Sequence, residues 1–154
     1  GGKLEGALQL DGANDYLRTP FIVDPAEGVF SIFVWIRGGA PGQTIVSQVN
    51  GANWLSVEPQ SGFLMTGLIG PRGNDALVSA TDITDGSWHR VGLVWDGVDR
   101  VLYVDDVEVA RGSQRGLIAA DGGFNIGADK GLESSSFWTG LIDDVRIYDR
   151  ALAP

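Results

Sequence analysis

The sequence places one carboxylate, that of Asp143, on a predicted apolar face, where burial of an unpaired charge destabilises a protein. Within the alternating segment 141–148, Asp143 has the same parity as apolar residues such as Leu141. Residues of equal parity share one face of a β-strand, so the pattern predicts that Asp143 faces the apolar side. A carboxylate there needs a cation or several hydrogen-bond donors. Asp143 is therefore a metal ligand, or it pairs with an arginine such as Arg18 or Arg90, or it accepts backbone N–H groups.

The residues suited to catalysis are few. The chain has no cysteine, which excludes thiolate nucleophiles, disulfides and sulfur-ligated metals. His89 is the single histidine, and no serine or cysteine nucleophile motif accompanies it, so we expect a structural or surface role. Asp105, Asp106 and Glu108 form the nearest carboxylate cluster, and they fall in a predicted hairpin turn where we expect them to be solvated.

Three predicted loops carry the residue types of a sugar site. Such a site stacks an aromatic side chain on the ring, while Asn, Asp or Arg fix its hydroxyls. The candidate ligand-binding residues are Trp54 and Asn53 in the first loop, Arg72, Asn74 and Asp75 in the second, and Phe137 and Trp138 in the third. Trp54 and Phe137 are the best candidates for exposed aromatics. The alternatives are burial of these rings in the core and an ordinary polar turn at 72–75.

Composition limits the class of protein and of partner. A chain of 154 residues with 44% apolar and 20% charged residues fits one folded domain, spanning 1–154. The net charge of −9 repels phosphate backbones, so nucleic acid is not expected as a partner, and it suits calcium, although most surface carboxylates serve solubility. No apolar run is long enough to insert into a membrane. The start at Gly-Gly-Lys without Met suggests a piece of a longer or processed protein.

Short apolar runs between turn residues predict an all-β fold. Clusters of Gly, Asn, Asp and Pro recur between segments rich in β-branched and aromatic residues, which we expect to be strands at 30–36, 91–95 and 100–104. Asp105 and Asp106 then predict a tight hairpin leading into 107–110. No window holds a helical period over three turns, so helix should be nearly absent.

Three segments resemble the laminin-G-like family of concanavalin A-like jelly rolls. They are the opening strand and turn at 7–16, the segment 85–97 with its Trp-His pair followed by Leu-Tyr-Val-Asp at 102–105, and Phe-Asn-Ile-Gly at 124–127 with Gly-Leu-Ile-Asp-Asp-Val-Arg-Ile-Tyr-Asp-Arg-Ala-Leu at 140–152. The resemblance implies a two-sheet antiparallel β-sandwich over nearly the whole chain. It also implies that Trp35, Trp88 and Trp95 are core aromatics.

The resemblance also implies where a metal would lie. Related sandwiches often hold a structural calcium where the first turn approaches the last strand. The hypothesis is that Asp143, with Asp11 and the Gly12 carbonyl, binds one Ca²⁺ that joins the two ends of the chain. Loop carboxylates such as Asp75, Asp96 or Asp129 are the alternative site, at the rim of the sandwich.

The family implies a binding module more than an enzyme. The glycanase branch of this broad fold uses an E-x-D-x-x-E strand, and none of Glu5, Glu27, Glu58, Glu108 and Glu133 lies in such a motif. We therefore expect a non-catalytic carbohydrate-binding module of a larger secreted or cell-surface protein. The alternatives are a protein–protein interaction or adhesion module and a structural spacer.

Overall fold

Twelve β-strands joined by turns and loops make up the computed structural model, which describes residues 7–71 and 76–154. The strands are β1 (Leu8–Asp11), β2 (Leu17–Arg18), β3 (Phe30–Gly38), β4 (Thr44–Gln48), β5 (Asn53–Val57), β6 (Phe63–Thr66), β7 (Leu77–Asp82), β8 (His89–Trp95), β9 (Asp99–Val104), β10 (Val107–Ser113), β11 (Phe124–Ile126) and β12 (Thr139–Tyr148). These ranges contain no helix, and so none that could cross a membrane.

The strands form two antiparallel sheets of six, which confirms the predicted sandwich. Sheet A has the order β1-β12-β3-β8-β9-β10, and sheet B has the order β2-β11-β4-β5-β6-β7. The first and last strands lie side by side, with Leu8 opposite Ile142 and Asp11 opposite Thr139. All three strands predicted from β-branched and aromatic runs are present, as β3, β8 and β9.

Alternation along each strand builds the core between the sheets. Ile32, Val34 and Ile36 of β3 are fully buried, and Leu93 of β8 and Leu102 of β9 are buried beside them. Trp95 is also buried, as expected, whereas Trp88 is only half-buried. Period-two burial of this kind removes apolar surface from water on both inner faces and is the main stabilising contribution to a sandwich.

The hairpin between β9 and β10 has the predicted turn. Asp105 and Asp106 have φ angles of 52° and 67°. Positive φ at both central residues is the geometry of a type I′ turn, whose twist matches that of the flanking strands. Asp tolerates this conformation better than most side chains, so two aspartates suffice where Asn-Gly is the commoner pair.

A β-bulge in β12 overturns the parity argument for Asp143. The register against β3 shifts between Asp143 and Arg146, and Asp144 has φ of 50°. Ile142 lies on the core side before the bulge, and Val145 packs against the core after it. Asp143 therefore faces outward, where its Oδ1 accepts the Asp144 N–H at 2.8 Å. The extra residue of a bulge reverses the face of the residues that follow, and period two cannot anticipate it.

The outer face of sheet A is closed by a second, small apolar cluster. Phe33, Val94 and Val101 are buried there, and the Arg90 guanidinium lies 4.3 Å from the centre of the Phe33 ring. Ser31 ties the end of the chain to this face, because its hydroxyl donates to the Arg150 carbonyl and accepts the Leu152 N–H. Trp35, opposite Asp143, is half-buried on this outer face, so its prediction as a core aromatic was wrong.

The connection between β11 and β12 folds across the outer face of sheet B. Ser47 donates to the Ala128 carbonyl at 2.7 Å, and Asn125 donates to the Asp129 carbonyl at 3.2 Å. Trp138, at the end of this connection, is fully buried. We name residues 127–138 the crossing loop. Polar side chains of the sheet thus satisfy the backbone of the loop and fix its position.

Gly39 makes room for the indole of Trp138, and this yields a stability prediction. Gly39 has φ of 82°, and a Cβ there would collide with the Trp138 ring, whereas Gly42 has φ of 85° and open space around it. Gly42→Ala should cost about 1–2 kcal/mol for the left-handed backbone alone. Gly39→Ala should cost about 1–3 kcal/mol more, because the ring must move as well. Urea unfolding of both variants checks this; equal losses would show that Trp138 does not depend on Gly39.

Candidate ligand-binding site

The predicted aromatic platform is absent because its rings are in the core. Trp54 and Trp138 are 0% exposed and Phe137 is 7% exposed, so the prediction that Trp54 and Phe137 are exposed was wrong. The Trp54 ring centre lies 4.5 Å from that of Phe30 in sheet A and 4.8 Å from that of Phe124 in sheet B. None of the three predicted aromatic side chains can therefore stack on a sugar ring. Burial in the core was the alternative prediction for each of them.

The position of Trp54 one residue into β5 explains the error. Asn53 begins the strand at the outer face; the register against β4 shifts at Trp54, so that Trp54 and Leu55 both enter the core. The turn-forming sequence Asn-Gly-Ala-Asn does not indicate at which residue the following strand begins. Arg72, Asn74 and Asp75 lie outside the residues that the structure describes.

The first of the predicted loops meets two other segments at one end of sheet B. A depression of about 150 Å³ lies between the β4–β5 turn, the segment after β6 and the segment before β11. Its lining residues are Pro25, Asn50, Gly51, Ala52, Gly67, Leu68, Ile69, Ile118, Ala120 and Lys130. The β4–β5 turn belongs to the first predicted sugar-binding loop, whereas neither Ile118 nor Lys130 was among the predicted ligand-binding residues.

A second depression of about 170 Å³ lies on the outer face of sheet B. Thr44, Ser56 and Met65 form one row across β4, β5 and β6, since each is paired with the next in the register. The complete lining is Gly42, Thr44, Asn53, Ser56, Val57, Pro59, Met65, Gly67 and Asp129. The two depressions share Gly67, and together we call them the cleft.

Asn53 lies between the two depressions and organises both. Its backbone carbonyl accepts the Gly67 N–H at 2.8 Å, and its side-chain Oδ1 accepts the Lys130 N–H at 3.0 Å. The residue thus joins β5 to the segment after β6 and to the crossing loop. Asn53 was predicted as a ligand contact. The structure places it in the lining of the second depression, where its amide oxygen already accepts a hydrogen bond from the protein.

Local hydrogen bonds hold the walls of the cleft in place. Asn50 adopts φ of 58° in the β4–β5 turn, a conformation that Asn tolerates, and the Gly51 N–H donates to the Gln48 carbonyl at 3.0 Å. Asp129 Oδ1 accepts the N–H groups of Gly131 and Glu133 at 3.0 and 2.9 Å. Walls fixed in this way lose little conformational entropy when a ligand binds.

The chemistry of the cleft is polar but carries little net charge. Lys130 and Asp129 contribute one charge of each sign, and Asn50 and Asn53 contribute amide groups. Thr44 and Ser56 are only 1% and 6% exposed, so their hydroxyls lie beneath the surface. Aliphatic side chains, including exposed Ile118, line the rest. An arrangement of amide and charged groups beside aliphatic surface can bind an uncharged polyhydroxylated ligand through hydrogen bonds and ring-face contacts.

The predicted calcium ligands are not brought together. Asp11 is opposite Thr139, and Asp143 lies four residues farther along β12, roughly 13 Å at the usual rise of a strand. Asp11 accepts the Ala13 N–H at 2.8 Å, and this hydrogen bond lowers the pKa of Asp11. Asp96 and Asp129 each cap a local turn. Residues 7–71 and 76–154 contain no group of three metal-ligating side chains. Asp11 and Asp143 are therefore too far apart to share one calcium ion, and Asp75 of the alternative set lies outside the described residues.

His89 is held between two carboxylates at the end of β8. Its Nδ1 lies 2.8 Å from Asp105 Oδ2, and its Nε2 lies 2.8 Å from Asp85 Oδ1. Burial lowers the pKa of His89, but the two carboxylates outweigh it and raise the pKa above the usual 6.5. Both ring nitrogens are occupied, so the imidazole joins the loop before β8 to the β9–β10 turn, as the expected structural role requires.

The fold defines a class: a two-sheet antiparallel β-sandwich, here with a cleft at the outer face of sheet B. The chain belongs to the Laminin_G_3 family of the concanavalin A-like lectin/glucanases superfamily, whose profile matches residues 11–154. The resemblance seen in the sequence is thereby confirmed. The sequence matches none of the curated proteins with which it was compared.

Solved structures share the fold at low sequence identity. Domain 4 of an extracellular arabinanase from Geobacillus stearothermophilus, in complex with arabinotriose, aligns with a TM-score of 0.72 and 22% identity over 98% of this chain and 74% of that one. The botulinum neurotoxin serotype D ligand-binding domain, in complex with N-acetylneuraminic acid, gives 0.70 and 13% over 96% and 42%. Domains LG4-5 of mouse laminin α1 give 0.69 and 13% over 95% and 43%. The chain thus spans less than half of the last two.

Replacing Trp54 tests its assignment to the core. Trp54→Ala should lower the free energy of unfolding by about 3–5 kcal/mol, because a large fully buried side chain leaves a cavity between the sheets. Phe21→Ala is the control: its ring is 51% exposed, and the loss should stay within about 0.5 kcal/mol. Chemical unfolding measures both. A Trp54→Ala variant as stable as the wild type would place the indole outside the core.

The raised pKa of His89 predicts a pH dependence of stability. A histidine whose folded pKa exceeds its unfolded value stabilises the protein fully below about pH 6.5, and the contribution is lost as pH rises through the folded pKa. The wild type should therefore lose stability between pH 6 and alkaline pH relative to His89→Gln. Urea unfolding across this range measures the difference. If the free energy of unfolding depended on pH in the same way in both proteins, a raised pKa of His89 in the folded state would be contradicted.

Proposed function

We propose that this chain is a non-catalytic carbohydrate-binding module of a larger extracellular protein, and that the cleft is its binding site. The observation that carries the proposal is the cleft itself, where neutral donors and acceptors lie beside aliphatic surface on fixed loops and a sheet face. Two domains of the same fold are in complex with saccharides, which supports a saccharide as the ligand.

Uncharged glycans suit this site better than polyanionic ones. The chain carries 20 acidic and 11 basic residues, and the resulting field repels sulfated or uronic-acid-rich polymers. Lys130 makes no ion pair with the described residues, but Asp129 of the same loop balances its charge within the cleft. A neutral polysaccharide is therefore the favoured ligand class.

Among the described residues, the lining of the cleft offers no pair of carboxylates for glycoside hydrolysis, which supports a binding role. Retaining and inverting glycosidases need two carboxyl groups facing each other across the scissile bond. Asp129 is the single acid among the residues that line the two depressions. Calcium stays a prediction without an assigned ligand set.

A glycan array with and without chelator tests the function, followed by calorimetry with arabinotriose as the first soluble probe. Asn50→Gly keeps the left-handed turn and removes the amide, and Lys130→Ala keeps the backbone bond to Asn53. The double variant should bind roughly tenfold more weakly, because two hydrogen bonds of about 0.5–1.5 kcal/mol each are lost. Arg150→Ala is the control, since that residue is tied to the face of sheet A.

The outcomes separate the proposals. Unchanged binding in the folded double variant would remove the cleft as the site, and no retention on any glycan would overturn the carbohydrate function. A melting midpoint that chelator leaves unchanged would remove calcium.

A protein-binding role is the second candidate, and one surface favours it. Leu17, Phe21 and Ile22 are each about half exposed beside the edge strand β2 of sheet B. Adjacent exposed apolar side chains are typical of protein interaction sites. This patch lies outside the cleft, so variants of the two surfaces would distinguish a protein partner from a glycan.

A further inference from the structure

We infer that the two depressions are consecutive subsites for one oligosaccharide chain, so that the ligand is recognised as at least two linked sugar rings and not as a single terminal sugar. The inference rests on the proposed carbohydrate function and adds the length and placement of the ligand.

The two depressions have common walls. The segment 50–53, the residues from Gly67 onward and residues 129 and 130 of the crossing loop each contribute to both. Asn53 holds these three walls together through the bonds to Gly67 and Lys130. The depressions are therefore neighbours on one rigid surface, with volumes of about 150 and 170 Å³ that are similar to each other.

Gly67 forms the passage between them because it has no side chain. It lines both depressions, and a Cβ built on it would lie 3.2 Å from the carbonyl oxygen of Asn53 and 3.9 Å from the Cβ of Asn53. Asn53 points to the outer face, so a side chain at position 67 would stand beside it, at the boundary between the depressions. A glycine at position 67 leaves the boundary between the two depressions free of a side chain, so that an oligosaccharide can extend from one depression into the other.

The chemistry changes along the passage in a way that suits two different rings. The first depression offers Asn50 and Lys130 beside Pro25 and Ile118, and the second offers Asn53 and Asp129 beside Pro59 and Met65. Each has hydrogen-bonding groups and aliphatic surface of its own. A second linked ring adds contacts without a second loss of translational and rotational freedom, so affinity should rise with chain length.

The experiment is a length series combined with a blocked passage. Calorimetry with arabinose, arabinobiose and arabinotriose, and with the same series from any polysaccharide retained on the array, should show affinity rising about tenfold or more from one unit to three, equivalent to about 1.4 kcal/mol. Gly67→Val should lower trisaccharide affinity by a similar factor and leave monosaccharide affinity within about twofold, as expected when one subsite is cut off from the other. Gly28→Val is the matched control, since a Cβ at Gly28 meets nothing within 4 Å.

Each outcome of these measurements either supports or contradicts the two-subsite inference. Equal affinity for one unit and three, or an equal loss for both ligands in a folded Gly67→Val, overturns the two-subsite inference while leaving the carbohydrate function standing. No binding of any saccharide by the wild type overturns the function and the inference together. If Gly67→Val fails to fold, the wild-type length series alone supports or contradicts the inference.

Discussion

The packing of Trp54 between the two sheets is the contact on which the arrangement of the cleft depends. Its indole fills the space between Phe30 and Phe124, which belong to opposite sheets. The register of β5 against β4 shifts at Trp54, so that this ring and Leu55 both enter the core while Asn53 stays at the outer face. Asn53 then reaches the crossing loop and the segment after β6. A buried hydrophobic contact thus determines the position of the polar residue that holds the walls of the site.

The two outer faces of the sandwich have different roles. On sheet A, Arg90, the small cluster around Phe33 and the end of the chain cover the face. On sheet B, the crossing loop covers one part and leaves the depression around Asn53, Met65 and Asp129 beside it. Under the proposed function a ligand would bind in this depression, while the outer face of sheet A presents a surface already satisfied by the protein's own residues.

The sequence predicts the architecture better than the site, for a physical reason. Strands such as β3 and β8 are specified by local alternation, and the Asp105-Asp106 turn by local conformational preference. The bulge at Asp144 reverses the face of Asp143, and no local pattern marks it. Residues such as Gly67 and Lys130 become neighbours only through tertiary pairing. The aromatic platform was inferred from residue type, and burial depends on where each strand begins.

The pairing of β1 with β12 has a mechanical consequence. These strands are antiparallel, with Leu8 opposite Ile142 and Asp11 opposite Thr139, so the chain enters β1 and leaves β12 at the same end of sheet A. Tension applied through the two ends would load the hydrogen bonds of this pair one after another, as in a zipper, and not all at once in shear. Under load the sandwich would yield first by peeling its terminal strands, with the cleft on sheet B still assembled.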